Sequence, residues 1–340
     1  MIIELYANAI YMLLTIMIFS LAFDLIVGEF PARIHPVVLV GGIISFFKDR
    51  LIKYNSKTAG LFLTICVIAF GSLIMLVPLL IFRMIIFNEI MEYVFKLAAL
   101  LLLSSCFSVK LLLSSAREVE DDLKKGNLKG ARERVSYLVS RKTSELSKEH
   151  VISATIETLT ENIPDSYVST MFYYVLFGVI AYFIGFNDFD AVIIAILAAF
   201  IHRIIDTLDS MVGYETDELI NIGYVPAKLD DIVNYIPARF SGALIVIASL
   251  AMGLNWRNSY FVMRRDARAG PSPNSGYTMS AVAGALNIQL EKENVYTLGD
   301  PIHKIETECI EKAIDITRFT IFLATLFLVV VLLDILLILI

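Results

Sequence analysis

The sequence predicts an all-α polytopic membrane protein, with about six transmembrane helices, one further re-entrant segment and helical loops between them. Three observations lead there. Of 340 residues, 57% are hydrophobic and only 18% charged, with a mean hydropathy of +0.73, whereas soluble domains sit nearer half apolar and a quarter charged. Apolar runs long enough to cross a bilayer, about 20 residues, recur along the chain. The basic residues are gathered into a few of the intervening loops.

The runs lie at 9–27, 59–82, 93–115, 168–185, 189–205 and 318–340. No Lys or Arg precedes the first, so it lacks the basic start of a cleavable signal peptide and reads as a permanent anchor. Loops kept in the cytoplasm are enriched in Lys and Arg. Residues 28–57 hold five, 114–167 nine and 255–317 seven, while 1–9 and 185–189 hold none. The three rich loops are therefore expected on the cytoplasmic side of the cell membrane. The fifteen apolar residues 240–254 are short, and a full crossing there would put 255–317 outside. A re-entrant or interfacial hairpin is expected instead. Residues 1–340 are expected to form one membrane domain, with the polar segments 116–167, 206–239 and 255–317 making the site.

These polar segments read as folded. Residues 111–139 form a helical pair broken at 124–127 (KKGN), and 147–165 form a helix opened by Ser147 and stopped by Pro164. Cys66, Cys106 and Cys309 have neither zinc-site nor disulfide-framework spacing. The net charge of −6, without a dense basic face, argues against a nucleic-acid partner.

Charge is concentrated in a few places. Residues 206–240 hold seven carboxylates against two bases. Asp206 and Asp209 share a face at the end of the fifth run, where negative charge opposes the helix dipole. Asp230 and Asp231 follow, with Asn234 one turn on. Glu157 and Glu161, four apart, share a helix face, and Asp165 comes just after them. A solvated helix face and, for Asp230, a helix N-cap are the ordinary readings. The functional one is a hard-cation site, because Mg²⁺ prefers oxygen ligands and is commonly held by one or two carboxylates together with substrate phosphates.

Groups able to meet phosphate are also clustered. Arg141 and Lys142 stand beside Thr143 and Ser144, and Arg264, Arg265 and Arg268 precede a Gly, Ser and Asn-rich turn that opens a helix. Backbone amides at such a turn can cradle an anion, although neither a Walker A string nor G-x-G-x-x-G occurs. His35, extended before Pro36, reads either as a packed hydrogen-bonding residue or as a proton carrier. His150, His202 and His303 lack metal-site spacing.

Five segments, in this order, resemble one family: DLIVGEFPARIHPV (24–37), SRKTSELSKEHVISATIETLTENIPDSYVSTMFYY (140–174), DTLDSMVGYETDELINIGYVPAKLDDIVNYIPARF (206–240), RRDARAGPSPNSGYTMSAVAGAL (264–286) and NVYTLGDP (294–301). The chain resembles the CobD/CbiB cobalamin-biosynthesis membrane proteins, the adenosylcobinamide or adenosylcobinamide-phosphate synthases. It departs from the expected pattern at Asp206 (Asn expected), Lys142 (an acid) and Ser275 (Ala). The resemblance implies an ATP-dependent ligase joining the propionate carboxylate of adenosylcobyric acid to aminopropanol or its phosphate, with cobalt present only inside the corrinoid substrate. It also implies contact with lipid and with other enzymes of the pathway.

For the chemistry the resemblance implies, a working assignment gives Mg²⁺ to Glu157, Glu161, Asp206 and Asp209, with Asp165, Asp230 and Asp231 as further candidates; the resemblance itself marks motifs, not these individual roles. Contact with ATP phosphates or substrate is assigned to Arg141, Lys142, Thr143, Ser144, Asn162, Asn234, Arg239, Arg265 and the turn of Ser272, Asn274 and Gly276. His35 or one of the carboxylates would take the proton of the incoming ammonium. The competing classes are a transporter coupled through acids near its spans and a non-catalytic sensor or scaffold. Against the first, most of these acids lie in loops or at span ends, away from the midplane.

Overall fold

The computed structural model describes residues 2–214 and 216–339. In chain order its helices are α1 (Ile2–Ile26), α2 (Pro36–Leu51), α3 (Lys57–Met84), α4 (Glu89–Ser104), α5 (Val109–Lys124), α6 (Leu128–Ser136), α7 (Lys148–Glu161), α8 (Ser169–Ile184), α9 (Asp188–Val212), α10 (Tyr224–Val233), α11 (Tyr235–Ala251), α12 (Trp256–Asp266), α13 (Gly276–Leu286) and α14 (Glu308–Leu339). Among the described residues one antiparallel hairpin, β1 (Gln289–Lys292) and β2 (Tyr296–Gly299), accompanies these helices.

Among the described residues six helical runs are long and apolar enough to cross a membrane: 8–26, 57–84, 89–124, 148–184, 188–212 and 308–338. They coincide with the six expected from hydropathy. Many of their large apolar side chains face outward, including Phe62, Ile65 and Phe70 of α3 and Phe322, Phe327 and Val330 of α14, each about half exposed. Such surface is costly in water and suited to lipid. Residues 224–233 and 235–251 pass the same test only when taken together.

Side-chain caps set many of the helix starts. Ser56, Asn88, Asn127, Ser147, Asn187 and Asn255 each accept a hydrogen bond from a first-turn amide, an interaction worth about 1 kcal/mol apiece. The break at 124–127 falls where expected, with Gly126 at φ +72°.

Three local expectations need correction. Pro164 does not stop the helix opened by Ser147. That helix ends at Glu161, and Pro164–Val168 forms a π-helical turn leading straight into α8. Asp230 is not at a helix start, because it lies inside α10. The third apolar run is broken at 105–108, where Ser104 and Ser105 turn their hydroxyls onto the carbonyls of Leu101 and Leu102 and compete with the helical ladder.

The chain divides into two compact units. The first comprises residues 1–108, 169–233 and 327–340. Within it α9 packs against α1, α2, α3, α8 and α10. Its core joins Val40 and Ile44 of α2, Leu63, Val67 and Met75 of α3, and Phe200, Ile204 and Leu208 of α9. The second comprises residues 109–168 and 234–326. There α13 packs against α7, α11, α12 and β2, while α7 packs against α5, α6 and β1. The α12–α13 contact is so close that a Cβ on Gly276 would lie 2.2 Å from the Ala267 carbonyl oxygen, and one on Gly284 2.5 Å from that of Asn258.

Candidate active site

In the second unit, the i, i+4 spacing of Glu157 and Glu161 on α7 puts both on the wall of a cleft of about 180 Å³, with Arg141, Lys292 and Tyr296. Glu157 is only 4% exposed, yet both its oxygens are engaged. Ser153, one turn earlier, donates to Oε1 (2.6 Å), and Tyr296 donates to Oε2 (2.9 Å). Arg141 Nη2 also reaches Oε2, at 3.3 Å. Charge-assisted bonds of this kind make burial of a carboxylate tolerable. Burial pushes the Tyr296 phenol well above its usual value, and the Glu157 and Glu161 carboxylates add to the effect, so the phenol stays a neutral donor. Ser153 Oγ in turn accepts from the Glu291 amide (2.8 Å), tying β1 to α7. A larger polar groove, about 800 Å³, runs past the start of α7 between Lys148, His150, Glu291 and residues 301–308.

The Ser272–Gly276 turn also lies in the second unit, at the start of α13. Asn274 is buried. Its amide bonds Ser272 Oγ (3.2 Å), and its Oδ1 accepts from Arg239 (3.2 Å). The Arg239 guanidinium stacks between the rings of Tyr235 and Tyr277, 3.3 and 4.4 Å from their centroids. Arg265 is held by two carboxylates, Asp266 and Asp300. Although partial burial works in the opposite direction, the Arg265 guanidinium and the Gly299 amide keep the Asp266 carboxyl below its usual value.

In the first unit, Asp206 and Asp231 stand close enough to Asp209 to act on it electrostatically. Asp206 is paired with Arg203 (2.8 Å) and Asp231 with Lys228 (2.9 Å). Among the described residues no donor bonds the half-buried Asp209 carboxylate. Among them also, no three His, Cys, Asp or Glu side chains form a group able to hold a metal ion. Mg²⁺ does not need such a cage, since one or two carboxylates plus water and phosphate oxygens suffice. Asp209 with Asp206 fits that lesser requirement. His35, also in this unit, is buried and caps α2, its Nδ1 accepting from the Val37 amide (3.2 Å). Burial holds its pKa below the usual value; Arg203 lowers it further and Glu29 opposes. A neutral ring with Nδ1 so used carries its proton on Nε2.

The chain as a whole is similar to known proteins. The model of the CobD/CbiB protein family matches residues 17–320. The chain belongs to the CobD/CbiB family. It is 41% identical over 312 residues to the probable cobalamin biosynthesis protein CobD of Methanothermobacter thermautotrophicus, covering 92% of this chain and 95% of that one. It is 37% identical over 300 residues to the protein of the same name from Methanocaldococcus jannaschii, with coverages of 86% and 90%. With the cobalamin biosynthesis protein CobD of Leptospira interrogans the identity is 33% over 301 residues, with coverages of 85% and 88%. No solved structure matches the chain. Membership of the CobD/CbiB family places the chain in cobalamin biosynthesis.

Of the residues singled out in this CobD/CbiB sequence, the second unit brings Glu157, Glu161 and Arg141 to one cleft, and Arg239 to Asn274. Lys142 and Ser144 are exposed and Thr143 is buried. Asn162 ends α7, its side chain bonding the Thr158 carbonyl. Asp165 lies in the π turn, and Asn234, which precedes α11 in the sequence, is buried. Sequence reasoning missed Ser153, Lys292, Tyr296 and Arg203. The signal for Ser153 was present, since it lies one turn before Glu157. Tyr296 and Lys292 reach the cleft only through the hairpin.

Proposed function

We propose that this CobD/CbiB protein is an ATP-dependent acid–amine ligase, joining the propionate carboxylate of adenosylcobyric acid to the amine of aminopropanol or aminopropanol phosphate. The observation that carries the reading is the Glu157 network, a buried carboxylate fixing a guanidinium and a phenol at the wall of a polar cleft, in a family named for cobalamin biosynthesis. A free carboxylate is a poor acyl donor, because oxide would have to leave. Transfer of the ATP γ-phosphoryl group to the carboxylate releases ADP and makes phosphate the leaving group. The neutral amine then attacks the acyl carbon, the C–N bond forms, phosphate departs, and the ammonium proton passes to a base.

The protein's share in such chemistry is positioning and charge neutralisation. Arg141 and Lys292 supply positive charge at the cleft. Glu161, which accepts no hydrogen bond among the described residues, is suited to take the ammonium proton. Asp206 and Asp209 are the side chains that would hold Mg²⁺, which offsets phosphate charge when bound. The groove of about 800 Å³ has room for part of a large, amide-rich macrocycle.

The test is Asp209→Asn in the full-length protein. Magnesium-dependent ADP release in the presence of both substrates falls, with thermal unfolding unchanged. Wild-type turnover in that variant at every Mg²⁺ concentration would remove Asp209 from the site. Absence of corrinoid- and amine-dependent ADP release from the wild type would overturn the ligase reading. Uptake of labelled substrate into vesicles holding only this protein would put a transporter in its place.

A further inference from the structure

We infer that the cleft beside α7 is a socket for a single phosphate group, in which Arg141 is the binding residue and Glu157, with Ser153 and Tyr296, positions it. The inference deepens the ligase reading, which supplies phosphate-bearing substrates. Its geometric basis stands independently.

Two features of Glu157 speak against a cation there. A carboxylate that binds Mg²⁺ must offer an oxygen lone pair to the metal. Here Oε1 accepts from Ser153 at 2.6 Å, and Oε2 accepts from both Tyr296 (2.9 Å) and Arg141 (3.3 Å). The side chain is also buried and backed by protein donors on α7 and β2. A carboxylate so surrounded is built to hold donors in place.

What it holds in place is underused. A guanidinium carries five N–H donors in a planar fork. Among the described residues Arg141 makes one hydrogen bond, to Glu157, and its Nε is shielded from solvent with no partner. Nε is closed off from the cleft, so the donors open to a bound oxyanion are the guanidinium's terminal N–H groups that Glu157 leaves unused. Lys292 and Arg141 are both on the cleft wall, and a planar fork beside a point charge is the usual recognition of phosphate.

The cleft, about 180 Å³ and lined mainly by polar side chains, has room for one phosphate group. The ligand is a terminal phosphate, carried on a small molecule or reaching in from a nucleotide. Glu161 on the same wall disfavours a second negative charge and favours a phosphate that brings a cation, such as an ammonium, with it.

The experiment uses full-length protein in nanodiscs of neutral lipid, with inorganic phosphate titrated by calorimetry. Wild type is expected to bind, and Arg141→Ala to lose binding. Tyr296→Phe, which deletes one oxygen, should weaken binding by about tenfold, and Glu157→Gln by at least as much, as expected for disturbing a charge-assisted bond. Arg141→Lys should retain part of the affinity and controls for folding. Phosphoethanolamine and a non-hydrolysable ATP analogue, added as competitors, separate the two sources, and displacement by either supports the socket. No phosphate binding by the wild type, equal affinity across the variants, or displacement by neither competitor would overturn it. Half-maximal Mg²⁺ for ADP release should be unchanged in Tyr296→Phe, and a raised requirement would return Glu157 to metal binding. Because phosphate binding is read without turnover, failure of the ligase reaction leaves this result separable.

Discussion

The packing of α13 on α12 should make Gly276→Ala destabilising, and the structure gives the scale. The added Cβ would stand 2.2 Å from the Ala267 carbonyl oxygen and 2.7 Å from its carbon, where ordinary contact begins at 3.4 Å. The obstacle is backbone, so no side chain can swing aside. Helix α13 must move by about 1 Å or the Ala267 peptide must tilt, and overpacking of this kind costs roughly 1–3 kcal/mol. Alanine's better helix propensity returns up to about 1 kcal/mol, and Gly276 has no positive φ to lose. The net expectation is a loss of about 1–2 kcal/mol. For a unit of this size that lowers Tm by roughly 2–8 °C. The shift should also lengthen the Arg239–Asn274 contact at the same turn. Thermal unfolding in detergent is the assay, with Gly270→Ala as control because its Cβ would meet nothing closer than 3.6 Å. An unchanged or raised Tm in Gly276→Ala would refute the packing argument.

Other perturbations are decided elsewhere in the molecule. Glu120 is fully buried, with Arg117 and Lys124 each at 2.7 Å. Glu120→Ala should destabilise, but by less than the loss of a fully buried pair, because both partners reach solvent and keep Glu311; denaturant unfolding measures it. The lowered pKa of His35 means the unfolded chain takes up a proton at a higher pH than the folded one. Stability is therefore fully present above about pH 6.5 and declines as pH falls through that value toward the folded pKa. His35→Asn should flatten that part of the stability profile. Arg265→Ala, which removes the partner of Asp266 and Asp300, should lower Tm, read by thermal unfolding.

The spans were legible because bilayer crossing demands length and apolarity, which survive in sequence whatever packs against them. The cap at Ser147 and the turn opening α13 were legible because capping is local. The β1–β2 hairpin was not. Its strands are four residues each, too short for a period to show, and Ser153 ties β1 to α7 across 138 positions of sequence. The break at 105–108 hid inside a continuous apolar run, where hydropathy cannot tell a kinked helix from a straight one. At the site, paired carboxylates on one face were visible, but whether a carboxylate faces a metal or a set of donors depends on its neighbours. Glu157 and Asp209 look alike in sequence. The fold surrounds the first with Ser153, Tyr296 and Arg141 and leaves the second beside two other acids.

The most direct test of the ligase account follows the oxygen. Cobyric acid labelled with ¹⁸O in its free carboxylate, incubated with the purified protein, ATP, Mg²⁺ and aminopropanol or its phosphate, should yield the amide together with inorganic phosphate carrying one ¹⁸O. Product without label in the phosphate would contradict activation by phosphoryl transfer, and no amide with either amine would contradict the account as a whole.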